Sequence, residues 1–384
     1  MNKDMAALPT QPDTALCDIR YTAGISIIVP TYREAENIPH LLRRINRVRK
    51  DTGLTLEVLF MDDASDDGSI EAVATSGFDW ARIIVRDGGR GLSPSVIEGF
   101  AAARYPVLVC MDCDLSHPPE AIPKFVLALH TGQQFVIGSR YVPGGSTDDD
   151  WGFFRWLNSF IATVLARPLT TVRDPMSGFF ALRKSDFDTA RGLNPIGYKI
   201  ALELIVKCGF ENVGEVPIHF SDRCFGDSKL TLAEQLRYIQ HLRRLYMFQF
   251  AGMMYLAQFL VVGASGVVVN LSILSLLFWA GLPEWLCFAG GIGVSLMTNF
   301  LLNRRFTFSY ARHEPILRQF LGFASAALLG LVVNYAVALS LRMSVFEEGA
   351  FALQLSALTG VAAGMGFNFL GARYLVFRKR FIRK

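Results

Sequence analysis

Residues 107–122 read VLVCMDCDLSHPPEAI, an apolar run that ends on two carboxylates, Asp112 and Asp114, with Ser116, His117 and a proline pair directly after them. Acids two apart at a strand end lean toward one mouth, where their repulsion raises one pKa. A divalent cation shared with a diphosphate removes that penalty. Mg²⁺ takes one or two protein carboxylates and completes its shell with phosphate oxygens and water. The pair therefore reads as a metal and nucleotide-diphosphate site. The structural alternative is a helix N-cap made by Asp114 or Ser116 before Pro118. A second acidic turn, DDASDDG at 62–68, follows another apolar run and favours the first reading. Planar guanidinium forks suited to phosphate occur at Arg140 in GSRY, at Arg155 with Ser159 in FFRWLNS, and at Arg223 with Ser228 and Lys229 in SDRCFGDSKL. Taken singly, each of these charges is equally a solvated surface residue.

The elements that must hold these residues follow from periodicity. Residues 25–29 form a continuous apolar run, as a strand buried on both faces requires, and Pro30 is expected to end it. Ile38, Leu41, Leu42 and Ile45 then recur with helical spacing. The alternation of strand, loop and helix repeats near 58, 83 and 107, which predicts a mainly parallel sheet with helices on its faces. Ligands bind outside the carboxyl ends of such strands, where both acidic turns fall. Among the six cysteines, Cys110 and Cys113 form a C-x-x-C string. Residues three apart on one strand face opposite sides, so a redox pair is not expected. His117 is expected to pack beside its prolines and not to act as a base.

Composition divides the chain near 249. Hydrophobic residues make up 51% of the sequence, a high share for a soluble protein, and the long apolar runs lie after that point. The net charge of +4 carries no suggestion of nucleic acid. The amino-terminal 20 residues hold acids and prolines without an apolar core, unlike a signal peptide. The expected organisation is a tail at 1–23, a cytosolic α/β domain at 24–229, an interfacial segment at 230–250 and a four-helix membrane domain at 251–384. In the interfacial segment Leu232, Leu236, Ile239 and Leu242 make an apolar stripe beside the basic residues Arg237, His241, Arg243 and Arg244. Four spans are expected at about 254–280, 285–303, 320–341 and 351–377. Arg304, Arg305, Arg312 and Arg318 lie between the second and third spans, and a basic run ends the chain. The positive-inside rule then puts both ends and the middle connection in the cytoplasm. GVVVN at 266 recurs as GLVVN at 330, and NFLLNRRFTF at 299 recurs as NFLGARYLVF at 368, so the membrane half is a duplicated helix pair.

In order, VPTYREAENI, MDDASDDGS, GLSPSVIEGF, MDCDLSHPPE, GSRYVPGG and DPMSGFFALRK resemble glycosyltransferase family 2. The closer likeness is to its dolichyl- and polyprenyl-phosphate mannosyl- and glucosyltransferases, and it covers about 25–230. The membrane half resembles the small four-helix domain associated with translocation of lipid-linked glucose. The resemblance implies the GT-A fold. It implies that Pro30, Tyr32, Glu34, Asp62 and Asp63 line the base and ribose pocket, with Cys113 and Arg223 also on the donor side. Asp112 and Asp114 would hold Mg²⁺ or Mn²⁺ and the donor diphosphate. Ser116 stands at the third metal-proximal position, where some relatives carry Gln, and Cys113 replaces the usual Ala. Arg140, Arg155, Ser159 and Lys229 would surround the phosphate of a lipid acceptor, with Asp174 and Ser177 nearby. Glu203 is either structural or an orienting group for that phosphate. The catalytic set is then Asp112, Asp114 and Arg140.

The implied reaction moves one hexose to a polyprenyl or dolichyl monophosphate by direct attack, with inversion. GDP-mannose is the expected donor and UDP-glucose the alternative. A processive polysaccharide synthase would carry Q-x-x-R-W, and neither QLRY at 235 nor QHLRR at 240 supplies the Trp. A flippase or scaffold without catalysis would not need DCD, GSRY and RWLNS intact.

Overall fold

The computed structural model describes residues 24–148, 153–190, 192–197, 199–221, 232–344 and 350–378. The chain divides into two compact units, Met1–Gln249 and Phe250–Lys384. In the first, β1 (Ile25–Thr31), β2 (Leu56–Asp62), β3 (Ala81–Val85), β4 (Val107–Cys110), β5 (Phe135–Ser139), β7 (Phe180–Arg183) and β8 (Val213–Pro217) form one sheet in the order β3-β2-β1-β4-β7-β5-β8. Only β7 runs antiparallel, wedged between β4 and β5. The short strands β6 (Ser146–Thr147) and β9 (His219–Phe220) pair separately. Alternate residues of the central strands feed two cores. Ile27, Val29 and Val109 pack on one face, and Ile28, Leu108 and Cys110 on the other. The result is a helix–sheet–helix sandwich, the mainly parallel α/β arrangement that the repeating pattern predicts and the GT-A-like fold that the resemblance implies.

Helix α1 (Ile38–Thr52) buries Ile38, Leu41, Leu42, Ile45 and Val48 and ends at Gly53, whose φ of 71° suits glycine. Next come α2 (Ser69–Ala74), α3 (Leu92–Ala102), α4 (Ile122–His130), α5 (Phe153–Ala166), α6 (Lys184–Thr189), α7 (Ile200–Cys208) and α8 (Leu232–Gln249). A side-chain carbon at Gly99 would stand 2.6 Å from Ile28, so glycine lets α3 lie close on the sheet. Pro30 does not end β1, which continues to Thr31. Pairing with β4 stops at Ile28 opposite Cys110, while pairing with β2 runs on. The missing N–H of Pro30 therefore costs no ladder bond on the β4 side.

Two sequence expectations need correction on α8. His241 is not part of a basic surface; it is buried, with Nδ1 accepting from the Ile196 N–H at 3.3 Å and lying 3.6 Å from Glu203. Burial pulls its pKa down. The apolar stripe also divides. Leu242 packs with Leu245 against Ala166, Met176, Leu202 and Val206, whereas Leu236 and Ile239 are exposed. Their exposed neighbours include Phe160, Ile161, Val164 and Leu165 of α5, joined to α8 by hydrogen bonds from Tyr238 to the Ala162 carbonyl and from Tyr246 to that of Leu165. Glu203 resolves as structural: it pairs with Lys207 at 2.6 Å and accepts from the Asn194 N–H.

The second unit contains α9 (Ala251–Trp279), α10 (Glu284–Leu302), α11 (Ile316–Ser344) and α12 (Ala350–Leu370). Among the described residues these helices and their continuations are long and apolar enough to cross a membrane, and the chain is an integral membrane protein. The duplication is physical. Asn299 sits on Gly266 and Asn270 on Gly291; in the second half Asn368 sits on Gly330 and Asn334 on Gly360. Any side chain at these glycines would collide with the facing asparagine, so glycine and asparagine together set the close approach of each helix pair. Both α10 and α12 finish in a π-helical turn, Asn303–Thr307 and Gly371–Val376. The equivalent rings of Phe308 and Phe377 stack at 4.8 Å, and Phe300 meets Phe323 as Phe369 meets Phe259.

Candidate active site

The strands β1, β2 and β4 are mutually parallel, so their carboxyl ends open on one edge. Three loops leave that edge, and each contains a non-glycine residue in the left-handed region: Arg33 (φ 58°), Ala64 (φ 56°) and Leu115 (φ 66°). No other described non-glycine residue has a positive φ. Backbone strain of this kind gathers at functional loops.

β4 stops at Cys110, so Cys113 lies beyond the strand and not on it as the spacing predicts. The backbone is diverted because the Asp112 N–H donates to His117 Nδ1 at 2.9 Å. The two cysteines still enter opposite cores, and both are unpaired thiols. Burial, then the charges of Glu34, Asp114 and Asp112, push the Cys113 thiol up. His117 is buried, stacked on Phe179 at 5.2 Å and edge-on to Phe220. With Nδ1 accepting, its proton sits on Nε2, and its role is to fix the Asp112 backbone. Asp114 is 6% exposed and Asp112 30%. Asp114 Oδ1 accepts from the Ser116 hydroxyl at 2.6 Å and from the Ser116 N–H at 3.2 Å. Ser116 thus acts on the carboxylate. A side-chain carbon at Gly178 would lie 3.6 Å from both Asp112 oxygens, so glycine keeps the space beside them clear. Among the described residues no group of three His, Cys, Asp or Glu side chains is gathered for a metal. Two carboxylates and a hydroxyl are hard oxygen donors. They fit a Mg²⁺- or Mn²⁺-type ion that completes its shell with phosphate and water, and they do not fit a closed structural site.

At the end of β2, Asp62 is fully buried and accepts from the Ser65 N–H and hydroxyl. Asp63 is ion-paired with Arg86 and accepts from the Gly91 N–H at 2.9 Å. Both acids shape the loops of this edge. Glu34 accepts from the Asn37 amide at 2.6 Å, and Pro30 is a half-buried residue of β1. The Arg90 guanidinium lies 4.0 Å over the Tyr32 ring. Sequence reasoning passes over Arg86 and Arg90, although RDGGRG directly after β3 offered a signal: arginines set among glycines at a strand end.

Directly after β5, Arg140 is gripped by Asp174 through Nε at 2.7 Å and Nη2 at 2.8 Å, and its own N–H also donates to that carboxylate. Asp174 is held in turn by Glu215, which accepts from the Arg173 and Asp174 N–H groups. Burial opposes the Arg140 charge, but Asp174 outweighs it and the guanidinium pKa is raised. Ser159 shares a hydrogen bond with the Tyr141 hydroxyl at 2.9 Å. Tyr141 also lines a cavity of about 280 Å³ with Phe160, Thr163, Val164, Arg167 and Arg173. Ser177 is buried. The side chain of Arg155, and Arg223, Ser228 and Lys229 entirely, lie outside the described residues.

Lys199 is the third residue the sequence reading passes over. Its ammonium donates to the Met176 carbonyl at 3.1 Å. Burial, then the Arg140 charge, lowers its pKa to about 8, against the pull of Asp174 and Asp112. The charged form is present below that value. If Lys199 neutralises phosphate, catalytic turnover is expected to fall as pH rises through about 8, and Lys199→Arg to flatten that limb. Identical profiles in both proteins would remove Lys199 from the site. Lys199→Met is expected to lower activity about tenfold, or about 1.4 kcal/mol.

Comparison with known proteins gives two family matches. Residues 26–190 match the model described as "Glycosyl transferase family 2", and residues 258–377 match "GtrA/DPMS, transmembrane domain". The dolichol-phosphate mannosyltransferase of Pyrococcus furiosus is 38% identical over 318 residues, covering 82% of this chain and 89% of that protein. The dolichol-phosphate mannosyltransferase of Saccharomyces cerevisiae is 41% identical over 265 residues, covering 66% of this chain and 94% of its own. A solved structure of glucosyl-3-phosphoglycerate synthase from Mycobacterium tuberculosis aligns with a TM-score of 0.48 at 19% identity, over 64% of this chain and 86% of that one.

Proposed function

The chain belongs to glycosyltransferase family 2 and, within it, to the dolichol-phosphate mannosyltransferases carrying a GtrA/DPMS membrane domain; from that premise we propose that it transfers mannose from GDP-mannose to the phosphate of a polyprenyl or dolichyl monophosphate. The single observation that carries this reading is the Asp112 and Asp114 pair, held at the carboxyl end of β4 by His117 and Ser116. A divalent Mg²⁺ or Mn²⁺ ion, when bound there, would neutralise the donor diphosphate and ease its departure.

The remaining work falls to the chain. A lipid monophosphate is already anionic at neutral pH, so its oxygen attacks without a strong general base. It must be placed against the anomeric carbon and relieved of repulsion from the donor. Arg140, locked in orientation by Asp174, and the Lys199 ammonium are the cations for that task, with Arg155 and Lys229 proposed beside them and Arg223 on the donor phosphates. Tyr32, with Arg90 over one face, and Glu34 take the base and ribose. The cavity beside Tyr141, about 280 Å³ and lined by Phe160, Thr163 and Val164, would take the first prenyl carbons. Direct displacement inverts the anomeric centre, giving a β-linked mannosyl lipid from an α-linked donor. The basic residues 304, 305, 312 and 318, with those ending the chain, support a cytoplasmic catalytic unit and cytoplasmic termini.

The test reconstitutes the purified full chain with polyprenyl phosphate, Mg²⁺ and labelled GDP-mannose or UDP-glucose. The expected product is a single-sugar mannosyl phospholipid, formed from GDP-mannose only and β-linked by NMR. A glucosyl lipid, an α linkage or a polymer would each refute the proposal.

A further inference from the structure

The duplication of the membrane unit lets each residue be compared with its counterpart. Gly266 corresponds to Gly330 and Asn299 to Asn368, and by the same offsets Tyr255 corresponds to Gln319 and Arg304 to Arg373. Arg304 is engaged through Nε and Nη2. Its Nε donates to Gln319 Oε1 at 2.8 Å, and Nη2 donates to the carbonyls of Arg312 at 2.5 Å and Glu314 at 3.1 Å. Arg373 occupies the same place in the second half, but Tyr255 stands where Gln319 would be. Its guanidinium lies 5.0 Å from the Tyr255 ring, 5.3 Å from Tyr374 and 5.8 Å from Phe369. Among the described residues it donates no hydrogen bond and makes no ion pair. Aromatic faces stabilise its charge but accept none of its five N–H donors in the plane of the fork.

Arg373 lies in the last turn of the fourth candidate span, Gln354–Val376. That is headgroup depth, where an arginine among membrane helices meets lipid phosphate. We propose that Arg373, framed by Tyr255, Phe369 and Tyr374, is a binding site for the phosphate of a membrane lipid. The aromatic frame fixes the plane of the fork, and two phosphate oxygens complete it. The first half has no such site because Gln319 and two carbonyls fill the equivalent position. The inference rests on the membrane unit alone and not on the transfer reaction.

Native mass spectrometry of the washed full chain tests it, after incubation with phosphatidylglycerol or with polyprenyl phosphate. The wild type is expected to hold one phosphatidylglycerol, or one polyprenyl phosphate beyond the copy taken by the acceptor site of the catalytic unit, and Arg373→Gln to release that copy, with affinity lowered at least about tenfold, as for loss of a charged hydrogen-bonding group. Arg373→Lys keeps the charge without the fork and is expected to fall between the two. Arg378→Gln removes an exposed neighbouring charge and is expected to match the wild type. Retention of either lipid on this pattern supports the site, and the arm that retains it identifies the source. Equal retention by Arg373→Gln and wild type, or equal loss in Arg378→Gln, overturns it. Variants are compared only where thermal stability and monodispersity match the wild type; should Arg373→Gln not fold, Arg373→Lys binding as tightly as wild type overturns the proposal.

Discussion

Asp114→Ala is expected to reduce mannosyl transfer about a thousandfold, or about 4 kcal/mol of transition-state stabilisation. The proposed reaction brings a lipid phosphate against a diphosphate, so its largest demand is charge neutralisation at one point. Asp114 is the more buried of the two acids there, and its Oδ1 is preset by the Ser116 hydroxyl and N–H. Ser116→Ala leaves the carboxylate in place but less firmly oriented, and is expected to cost about tenfold. The measurement is kcat/KM with saturating Mg²⁺, beside a titration of activity against the metal. Asp114→Ala retaining a tenth of the activity with unchanged metal dependence would contradict the assignment.

Asp174→Ala is the second large effect, and it reaches stability first. Arg140 and Asp174 are a buried ion pair, 9% and 0% exposed, with three hydrogen bonds from Arg140 to one carboxylate. Removing one partner strands a buried charge, at a cost of about 3–5 kcal/mol. For a unit of this size the apparent Tm is expected to fall by about 10 °C. The double variant Arg140→Met with Asp174→Met removes both charges and is expected to recover most of that stability while remaining inactive. Thermal unfolding followed by tryptophan fluorescence, with an activity assay on the same samples, separates the two effects. A double variant as unstable as Asp174→Ala would show that the ion pair is not the source of the cost; an active one would take Arg140 out of the mechanism.

Sequence and structure divided the problem unevenly. Alternating apolar runs and helical spacing sufficed for the α/β unit, because burial on both faces of a parallel strand leaves little choice of residue. The acidic turns were legible for a related reason: two carboxylates at a strand end are costly without a cation. The four spans and their duplication were legible because a bilayer demands length and apolarity. Folding alone revealed which charges are consumed. Asp63 is paired by Arg86, Asp174 by Arg140, and Glu203 by Lys207, with the buried His241 ring beside it. Arg86, Arg140 and His241 each come from a segment distant from the acid they meet, and although Lys207 stands one helical turn from Glu203, pair energies depend on burial and angle, neither of which spacing records. Lys199 escaped notice, and Arg373 counted only among the basic residues that orient the spans, because a lone basic residue in sequence is ordinarily solvated.

By itself, then, the sequence determined the architecture, the membrane spans and the acidic pair at the end of β4, since each follows from short-range pattern and the cost of burial. The tertiary structure decided which side chains position that pair, which arginines are already engaged and which one meets only aromatic faces among the described residues, because those outcomes depend on contacts between residues far apart in the chain.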